Sequence, residues 1–283
     1  MERISSRIER KVFPSVRAVT LLLGALAFCL PFWWLLVNAF DESANLGLKL
    51  PPSLWFREGY TGLGNFKSAF SAIPIGRYYL NTIIITLSVI TLQVLNCCFA
   101  GYAFAKGRFP GKKPLFLLFL ATMMIPFQLY MVPLYLLMNA TGLVNTLFAI
   151  ILPGIHSAFG VFLATQYIKG LPESIFEAAR LEGAGELRIF FTIVLPLSKP
   201  VIATLSVLTA LACWNDFLWP YLVLLKESRF TITVGVSMFQ QENSTLMGNT
   251  LAVALLAVAP VVALYFFLQR FIISGITMGA TKN

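Results

Sequence analysis

The sequence predicts an all-α membrane protein with six transmembrane helices. Hydrophobic residues make up 58% of its 283 residues and charged residues 12%, and that charged share is about half of the usual share of roughly 25%. The mean hydropathy is +0.80, which is more apolar than a soluble domain of this length needs. Uncharged runs that exceed the roughly 20 residues needed to cross a bilayer recur along the chain. These observations place the chain among polytopic membrane proteins.

The first predicted span covers residues 18–40, which are uncharged and follow a basic N-terminal segment, residues 1–17. Its apolar run is longer than the roughly 7–15 residues typical of a signal peptide, so we interpret it as an uncleaved helix. A mixed loop follows at 41–78. One transmembrane domain, 18–271, holds this span and the other predicted spans, which are 79–105, 114–137, 147–168, 200–225 and 248–270, and residues 272–283 form a tail.

Six spans place both ends of the chain on one side of the membrane. The N-terminal segment, the loops 106–113 and 169–199 and the C-terminal residues from Arg270 onward together carry 15 Lys and Arg residues, whereas the three other loops carry 6. The positive-inside rule therefore predicts that both termini and the loop 169–199 face the cytoplasm. The same asymmetry accounts for most of the net charge of +9 without binding to nucleic acid.

The loop 169–199 is a polar segment between two long apolar runs. Pro172 suits the first position of a helix, and Gly183 suits its end because glycine adopts a left-handed conformation at little cost. A second short helix is expected over about 185–193, closed by Leu195-Pro196. The loop holds four of the twelve acidic residues of the chain, Glu173, Glu177, Glu182 and Glu186.

Periodicity within this loop predicts one apolar face and one charged face. Glu177 and Arg180 are three residues apart and can pair on the same face of a helix. Ala178 and Ala179 allow another backbone to approach closely. An apolar strip is formed by Ile175, Phe176 and Ala179. Periodicity alone leaves two alternatives open, a helix that packs on its own bundle and a helix that contacts another protein.

The spacing of Glu177-Ala178-Ala179, Gly183 and Leu195-Pro196 resembles the EAA loop of ABC importer permeases. The resemblance implies a type I ABC importer permease fold. It also implies that the loop forms a coupling helix that docks in a cleft of a cytoplasmic ATPase. The residues that would make this contact are Glu177, Ala178, Ala179, Arg180, Leu181, Glu182 and Gly183.

Other segments are similar to the carbohydrate importers of that family. They are Ala103 to Lys112 after the second span, Trp214 to Pro220 in the fifth, and Ser274 to Ala280 at the end. The last resembles the tail of the smaller permease of the maltose importer. That resemblance implies a tail contact with the ATPase subunits through Ser274, Gly275, Thr277 and Gly279.

The resemblance implies a permease subunit that forms half of the translocation pathway for a sugar, oligosaccharide or related polyol. The expected partners are a second permease in a heterodimer, two ATPase subunits, an extracytoplasmic solute-binding protein and the lipid bilayer. The chain has no phosphate-binding G-x-x-x-x-G-K-[ST] motif, so we expect a non-enzymatic subunit that binds no cofactor. ATP and Mg would lie on partner subunits, at the cytoplasmic membrane of a bacterium or archaeon.

Several polar and aromatic residues are candidates for the substrate path. Asp216 is the one acid in a predicted span, where a carboxylate is costly and marks either a pathway or a structural pair. Polar residues of the second span, such as Asn81, either line a sugar path or bond neighbouring helices. Trp residues at the outer interface either anchor the protein or stack on sugar. The candidates are Asn81, Trp214, Asn215, Asp216 and Trp219.

Two other classes of function agree less well with the sequence than an importer does. An ion-coupled secondary transporter of a small solute would show inverted repeats and several ionisable groups at the membrane midplane, and the sequence offers one acid. A membrane-embedded enzyme would need catalytic groups that do not occur here. The cysteines lie in apolar runs without metal-ligand spacing, and His156 is the single histidine, so no metal site is expected.

Overall fold

The computed structural model describes residues 2–43, 50–242 and 247–280, with side chains described for 17–43, 50–241, 247–263 and 266. Within these ranges the chain is helical, apart from loops and one isolated antiparallel bridge between Asp41 and Thr61. The first helices are α1 (Glu2–Ala39), α2 (Gly64–Ala72), α3 (Ile75–Lys106), α4 (Lys112–Ala121), α5 (Phe127–Ala140), α6 (Phe148–Gly154) and α7 (Ala158–Lys169). The later helices are α8 (Glu173–Leu181), α9 (Glu186–Ile189), α10 (Leu195–Leu197), α11 (Lys199–Asn215), α12 (Leu218–Val223), α13 (Ile232–Glu242) and α14 (Met247–Ala280).

Two compact units divide the chain. One comprises Met1–Ile73 with Met238–Val258, and the other comprises Pro74–Ser237 with Ala259–Asn283. In the first unit, the side chain of Asn38 at the end of α1 forms hydrogen bonds with the following loop. Its Nδ2 donates to the carbonyl of Ser53 at 2.8 Å, and its Oδ1 accepts from the backbone N–H of Ser53 at 2.9 Å.

Helix α3 is the centre of the second unit. It packs against α7 and α11, and small residues set the distance at the α7 contact. A Cβ placed on Gly101 would lie 2.7 Å from the Cβ of Ala164, and one on Gly160 would lie 2.6 Å from the Sγ of Cys97. Both distances are shorter than real contacts, so the two helices approach as closely as glycine permits.

The third predicted span, 114–137, is not one straight helix. The segments Lys112–Met124 and Phe127–Ala140 meet at 97°. The break lies at Ile125-Pro126, where Ile125 has φ −88° and ψ 110°. Proline excludes the preceding residue from the helical region by a steric clash, so the helix ends there although no residue in the run is charged.

The fifth predicted span, 200–225, is interrupted as well. Helix α11 ends at Asn215, and Asp216 is extended, with ψ 125°, before the short helix α12 begins. On the N-terminal side, Glu186–Leu197 and Lys199–Asn215 meet at 76°. The change of direction at Ser198 separates the polar loop from the fifth span.

Length and apolar composition identify three helices that could cross a membrane, Arg17–Ala39, Ile75–Lys106 and Phe148–Lys169. Counting each bent pair as one span gives up to five. The sixth predicted span, 248–270, coincides with α14, whose described apolar part is Met247–Ala263. The sixth crossing therefore stays a prediction. The backbone of α14 also continues through the predicted tail as far as Ala280.

Candidate functional site

Helix α8 of the polar loop has local sequence signals at both ends. It begins at Glu173, one residue later than predicted, because Pro172 takes the capping position with φ −57° and ψ 132°. At the other end Gly183 has φ +80°. The N–H of Ala184 bonds to the carbonyl of Ala179 at 2.9 Å, and the N–H of Gly183 to the carbonyl of Arg180 at 3.0 Å. These two bonds form a Schellman motif, which satisfies carbonyls left open at a helix end.

One face of α8 packs on the protein's own core. Phe176 is 0% exposed and Ala179 8% exposed, and both join a cluster with residues of α3, α7 and α11 that includes Tyr102, Ile168 and Val201. The predicted apolar strip is therefore split, because Ile175 is 37% exposed. Of the two alanines expected to admit another backbone, Ala178 alone is exposed.

The opposite face of α8 is open to contact. Leu181 is 89% exposed and Leu187, just after the turn, is 68% exposed. Glu177, Glu182 and Gly183 are exposed beside them. A Cβ at Gly183 would meet no atom within 4 Å. Exposed leucines among carboxylates make a surface typical of protein contacts. The helix therefore packs on its own bundle through one face and leaves the other face free to contact another protein.

Lys106, in the last turn of α3, attaches the beginning of the loop. Its Nζ donates to the carbonyl of Leu171 at 2.8 Å and to the Oε2 of Glu173 at 2.8 Å. It also lies 4.9 Å from the centre of the Phe176 ring. The hydrogen bond from Lys106 holds the pKa of Glu173 below its usual range, so this carboxylate stays charged near neutral pH.

Arg180, near the end of α8, bonds to the start of α9. It does not pair with Glu177 as predicted. Its Nε donates to the Oε1 of Glu186 at 3.0 Å, and its Nη1 lies 3.9 Å from Glu173. The hydrogen bond with Glu186 raises the pKa of Arg180 above its usual range. The other carboxylate oxygen of Glu186 accepts from the hydroxyl of Tyr102 at 2.5 Å. Among the described residues Glu177 has no cationic partner, so its charge is available to another molecule.

A cavity of about 930 Å³ opens between the C-terminal end of α3 and the polar loop. Its walls combine aromatic rings with charges of both signs. Among its lining residues are Phe99, Tyr102, Arg108, Glu177, Leu181 and Leu187. The cavity extends the exposed face of α8, and the exposed charge of Arg108 lies on its rim.

The second helix of the loop differs from its prediction. Helix α9 ends at Ile189, a π-helical turn follows at Phe190–Val194, and α10 carries Leu195-Pro196 inside it. Proline has no N–H and its ring clashes with the carbonyl four residues earlier. A wider π-helical turn before Pro196 removes the need for the missing N–H and makes room for the proline ring. Leu195-Pro196 therefore does not close the loop, and helical backbone continues to Leu197.

Each candidate for the substrate path has an internal partner. Asn81 is 2% exposed and donates to the carbonyls of Ser228 and Phe230, both at 3.0 Å. Trp219 is 3% exposed and its Nε1 donates to the carbonyl of Ala149 at 2.9 Å. Asn81 therefore bonds neighbouring segments of the chain, which favours the structural alternative for it. Trp219 is buried within the chain, which neither interface anchoring nor sugar stacking predicts.

The remaining candidates cluster at the end of α11. Trp214 is 6% exposed and faces the ring of Tyr79 at 6.2 Å, and the exposed Asn215 donates to the carbonyl of Leu211 at 2.8 Å. The carboxylate of Asp216 accepts backbone bonds from Phe217 and Trp219 at the start of α12. Their role in a substrate path stays a prediction.

The predicted tail contacts fall outside the described side chains. Ser274, Gly275, Thr277 and Gly279 lie on the helical backbone of α14, and their side chains are not described. Tyr102 is a site residue that the sequence analysis did not predict. It precedes Lys106 by four residues on α3, and this spacing places both side chains on the face that meets the loop.

Comparison with known proteins gives consistent matches. The family model described as "Binding-protein-dependent transport system inner membrane component" matches residues 98–278. An arabinooligosaccharides transport system permease protein of Halalkalibacterium halodurans is 35% identical over 89% of this chain and 91% of its own length. A melibiose/raffinose/stachyose import permease protein of Bacillus subtilis is 33% identical over 95% of this chain and 98% of its own.

A solved structure shares the fold. It belongs to a bacterial ABC transporter involved in the import of the acidic polysaccharide alginate, and a chain of it superposes with a TM-score of 0.81 at 24% identity. The match covers 93% of this chain and 97% of the other. The all-α fold predicted from the sequence is confirmed as that of an ABC importer permease. These comparisons give the ion-coupled alternative no support.

Proposed function

Because the chain belongs to the family of binding-protein-dependent transport system inner membrane components, we propose that it forms half of the translocation pathway of an ATP-driven importer. The proposed cargo is a sugar, an oligosaccharide or a related polyol. The transport-system names of its relatives support this cargo class, since they specify arabinooligosaccharides, melibiose with raffinose and stachyose, and maltodextrin.

The two-sided character of α8 carries the proposal. Phe176 and Ala179 fix one face to the protein's own core, while Leu181 and Glu177 stand on a free face. A helix that is anchored on one side and open on the other can receive force from a partner and pass it to the spans. We assign the partner contact to Glu177, Ala178, Leu181, Glu182 and Gly183, while the internally bonded Arg180 and the buried Ala179 support them from beneath.

The partner on this face would be an ATPase subunit. The sequence has no G-x-x-x-x-G-K-[ST] motif, so ATP and Mg would be bound by two partner subunits. Closing of the ATPase dimer would move α8 and switch access to the pathway by rigid-body motion of packed helices. A second permease would complete the pathway, and the α14 tail from Ser274 to Gly279 would reach the ATPase subunits.

An extracytoplasmic solute-binding protein would deliver the cargo. A structure of the bacterial alginate ABC transporter in complex with a pentasaccharide-bound periplasmic protein matches this chain with a TM-score of 0.64, and that complex supports a partner of this kind. On this proposal both termini and the loop 169–199 face the cytoplasm, as the positive-inside rule predicts.

Co-purification of the complex tests the proposal. The tagged chain, expressed with the genes beside it, should retain ATPase subunits and a second permease. In vesicles with the binding protein, the complex should take up at least one of arabino-oligosaccharides, raffinose and maltodextrins at the expense of ATP. Glu177→Lys should release the ATPase subunits, because it reverses the charge on the free face. A wild-type complex without ATPase subunits would refute the proposal.

A further inference from the structure

We propose that Arg180, Glu186 and Tyr102 form a latch that makes the polar loop move as one body with helix α3. The inference rests on the proposed function, because it concerns how force received by the loop reaches the spans. It assigns Arg180, Glu186 and Tyr102 as positioning residues, which act on the partner contact through the attachment of α8.

The first step is that one carboxylate joins three helices. Glu186 begins α9, its Oε1 accepts from Arg180 of α8 at 3.0 Å, and its Oε2 accepts from Tyr102 of α3 at 2.5 Å. The two oxygens thus hold two different elements at once. Hydrogen bonds to an ionised partner are about twice as strong as neutral ones, so this carboxylate is a suitable joint.

The second step is that the loop is held at two points. Lys106 binds the beginning of the loop through Leu171 and Glu173. Tyr102 binds the middle of the loop, at the start of α9, through Glu186. Tyr102 and Lys106 are four residues apart, so both lie on the same face of α3. A single attachment would let the loop pivot on α3, whereas two attachments along one face oppose rotation.

The third step is that the space between the two attachments is filled. Phe176 of α8 is 0% exposed, its ring stacks on that of Tyr102 with centroids 6.0 Å apart, and the Nζ of Lys106 lies over the same ring, 4.9 Å from its centre. Close packing of this kind transmits displacement instead of absorbing it. The loop and the C-terminal end of α3 therefore behave as one mechanical element.

The fourth step separates the latch from the partner contact. Tyr102 is 7% exposed, so little of its surface is accessible to a docking protein. The Glu186 side chain is 61% exposed, but both of its carboxylate oxygens are used in internal bonds. Removal of the latch should therefore leave the ATPase bound while its movement no longer reaches the spans. The expected defect is ATP hydrolysis that is uncoupled from uptake.

The experiment uses the complete complex in vesicles and measures uptake and ATP hydrolysis together, with arabino-oligosaccharides, raffinose and maltodextrins as probes. Tyr102→Phe keeps the ring and removes the hydroxyl, and Glu186→Gln keeps the shape and removes the charge. We expect uptake per ATP hydrolysed to fall at least about fivefold in Glu186→Gln, as for the loss of a bond to a charged group. ATPase subunits should remain in wild-type amounts.

The double variant adds a test of coupling. If both residues act through the same contact, Tyr102→Phe combined with Glu186→Gln should be no worse than Glu186→Gln alone. Arg188→Gln is the matched control, since Arg188 is an exposed charge of α9 outside the latch and should leave the ratio unchanged.

Two results would overturn the latch while leaving the proposed function intact. One is an unchanged ratio of uptake to hydrolysis in both single variants. The other is a loss of ATPase subunits from them, which would assign these residues to docking or folding. A wild-type complex that binds no ATPase subunit would instead refute the proposed function, and the latch with it.

Discussion

The Nζ of Lys106 and the Oε2 of Glu173 lie 2.8 Å apart and join the last turn of α3 to the first turn of α8. The ammonium is 6% exposed and the carboxylate 44% exposed. The carboxylate thus remains in contact with water, so the electrostatic contribution of the pair to stability is screened.

The pH dependence of this pair has a definite sign. Because the pKa of Glu173 is lowered in the folded protein, its contribution is complete above the ordinary value of 4.5 and is lost as the pH falls through the lowered folded value. Glu173→Gln should lower the Tm at pH 7 by no more than about 3 °C, the scale of an exposed ion pair. Near pH 3 the difference should shrink. Thermal unfolding in detergent measures it, and a difference that grows on acidification would contradict the assignment.

The close approach of α3 and α7 predicts a steric effect at Gly101. Gly101→Val places side-chain atoms against Ala164 and should destabilise the protein by about 1–3 kcal/mol, the usual range for overpacking. Gly76→Ala is the control, because it lies on the same helix with nothing within 4 Å of the added Cβ. Thermal unfolding compares the two, and equal stability would show that the helices can separate without cost.

The end of α8 predicts a contrast between two neighbouring glycines. Gly183→Ala should cost about 1–2 kcal/mol, because an L-residue is strained in the left-handed conformation. It should also reduce the ATPase subunits retained on purification, since the turn carries the exposed face. Gly185→Ala should change the stability by less than about 1 kcal/mol, because Gly185 has φ −70° and open space around it, so an L-residue fits its backbone. The same loss in both variants would argue against a conformational requirement at Gly183.

Asp216, just before α12, has two possible roles, which are to accept backbone hydrogen bonds and to take part in the substrate path. If it serves to accept the N–H groups of Phe217 and Trp219, Asp216→Asn should keep an acceptor oxygen and transport near the wild-type rate. Asp216→Ala should lose about 1 kcal/mol of stability, as when a helix cap is removed. Uptake and Tm measured together decide the point. Loss of uptake in a normally stable Asp216→Asn protein would assign the residue to the pathway.

The sequence predicted the parts of the site that depend on local chemistry. Gly183 ends α8 because the backbone there needs a positive φ, and that requirement can be identified from neighbouring residues alone. The bend before Pro126 had a local signal too, but an unbroken apolar run concealed it. The contact between Tyr102 and Glu186 spans 84 positions, so no short pattern could reveal it.

Pairing of charges was harder to predict than helix ends. Arg180 has Glu177 within reach on its own helix, yet it bonds Glu186 after the turn. The Schellman turn at Gly183 redirects the chain and brings Glu186 within hydrogen-bond distance of Arg180. The Tyr102 hydroxyl holds the Glu186 carboxylate in place. The choice between two acidic partners was therefore made by tertiary structure, which helical spacing cannot report.

The turn at Gly183 imposes a requirement of chirality and not of size. Space is available for a side chain, since a Cβ there would meet nothing within 4 Å, but φ is +80°, which is the mirror image of what L-residues prefer. The backbone conformation is one that a D-residue would adopt without strain. Glycine is the one genetically encoded residue without handedness, so at this position achirality is the property that the fold uses.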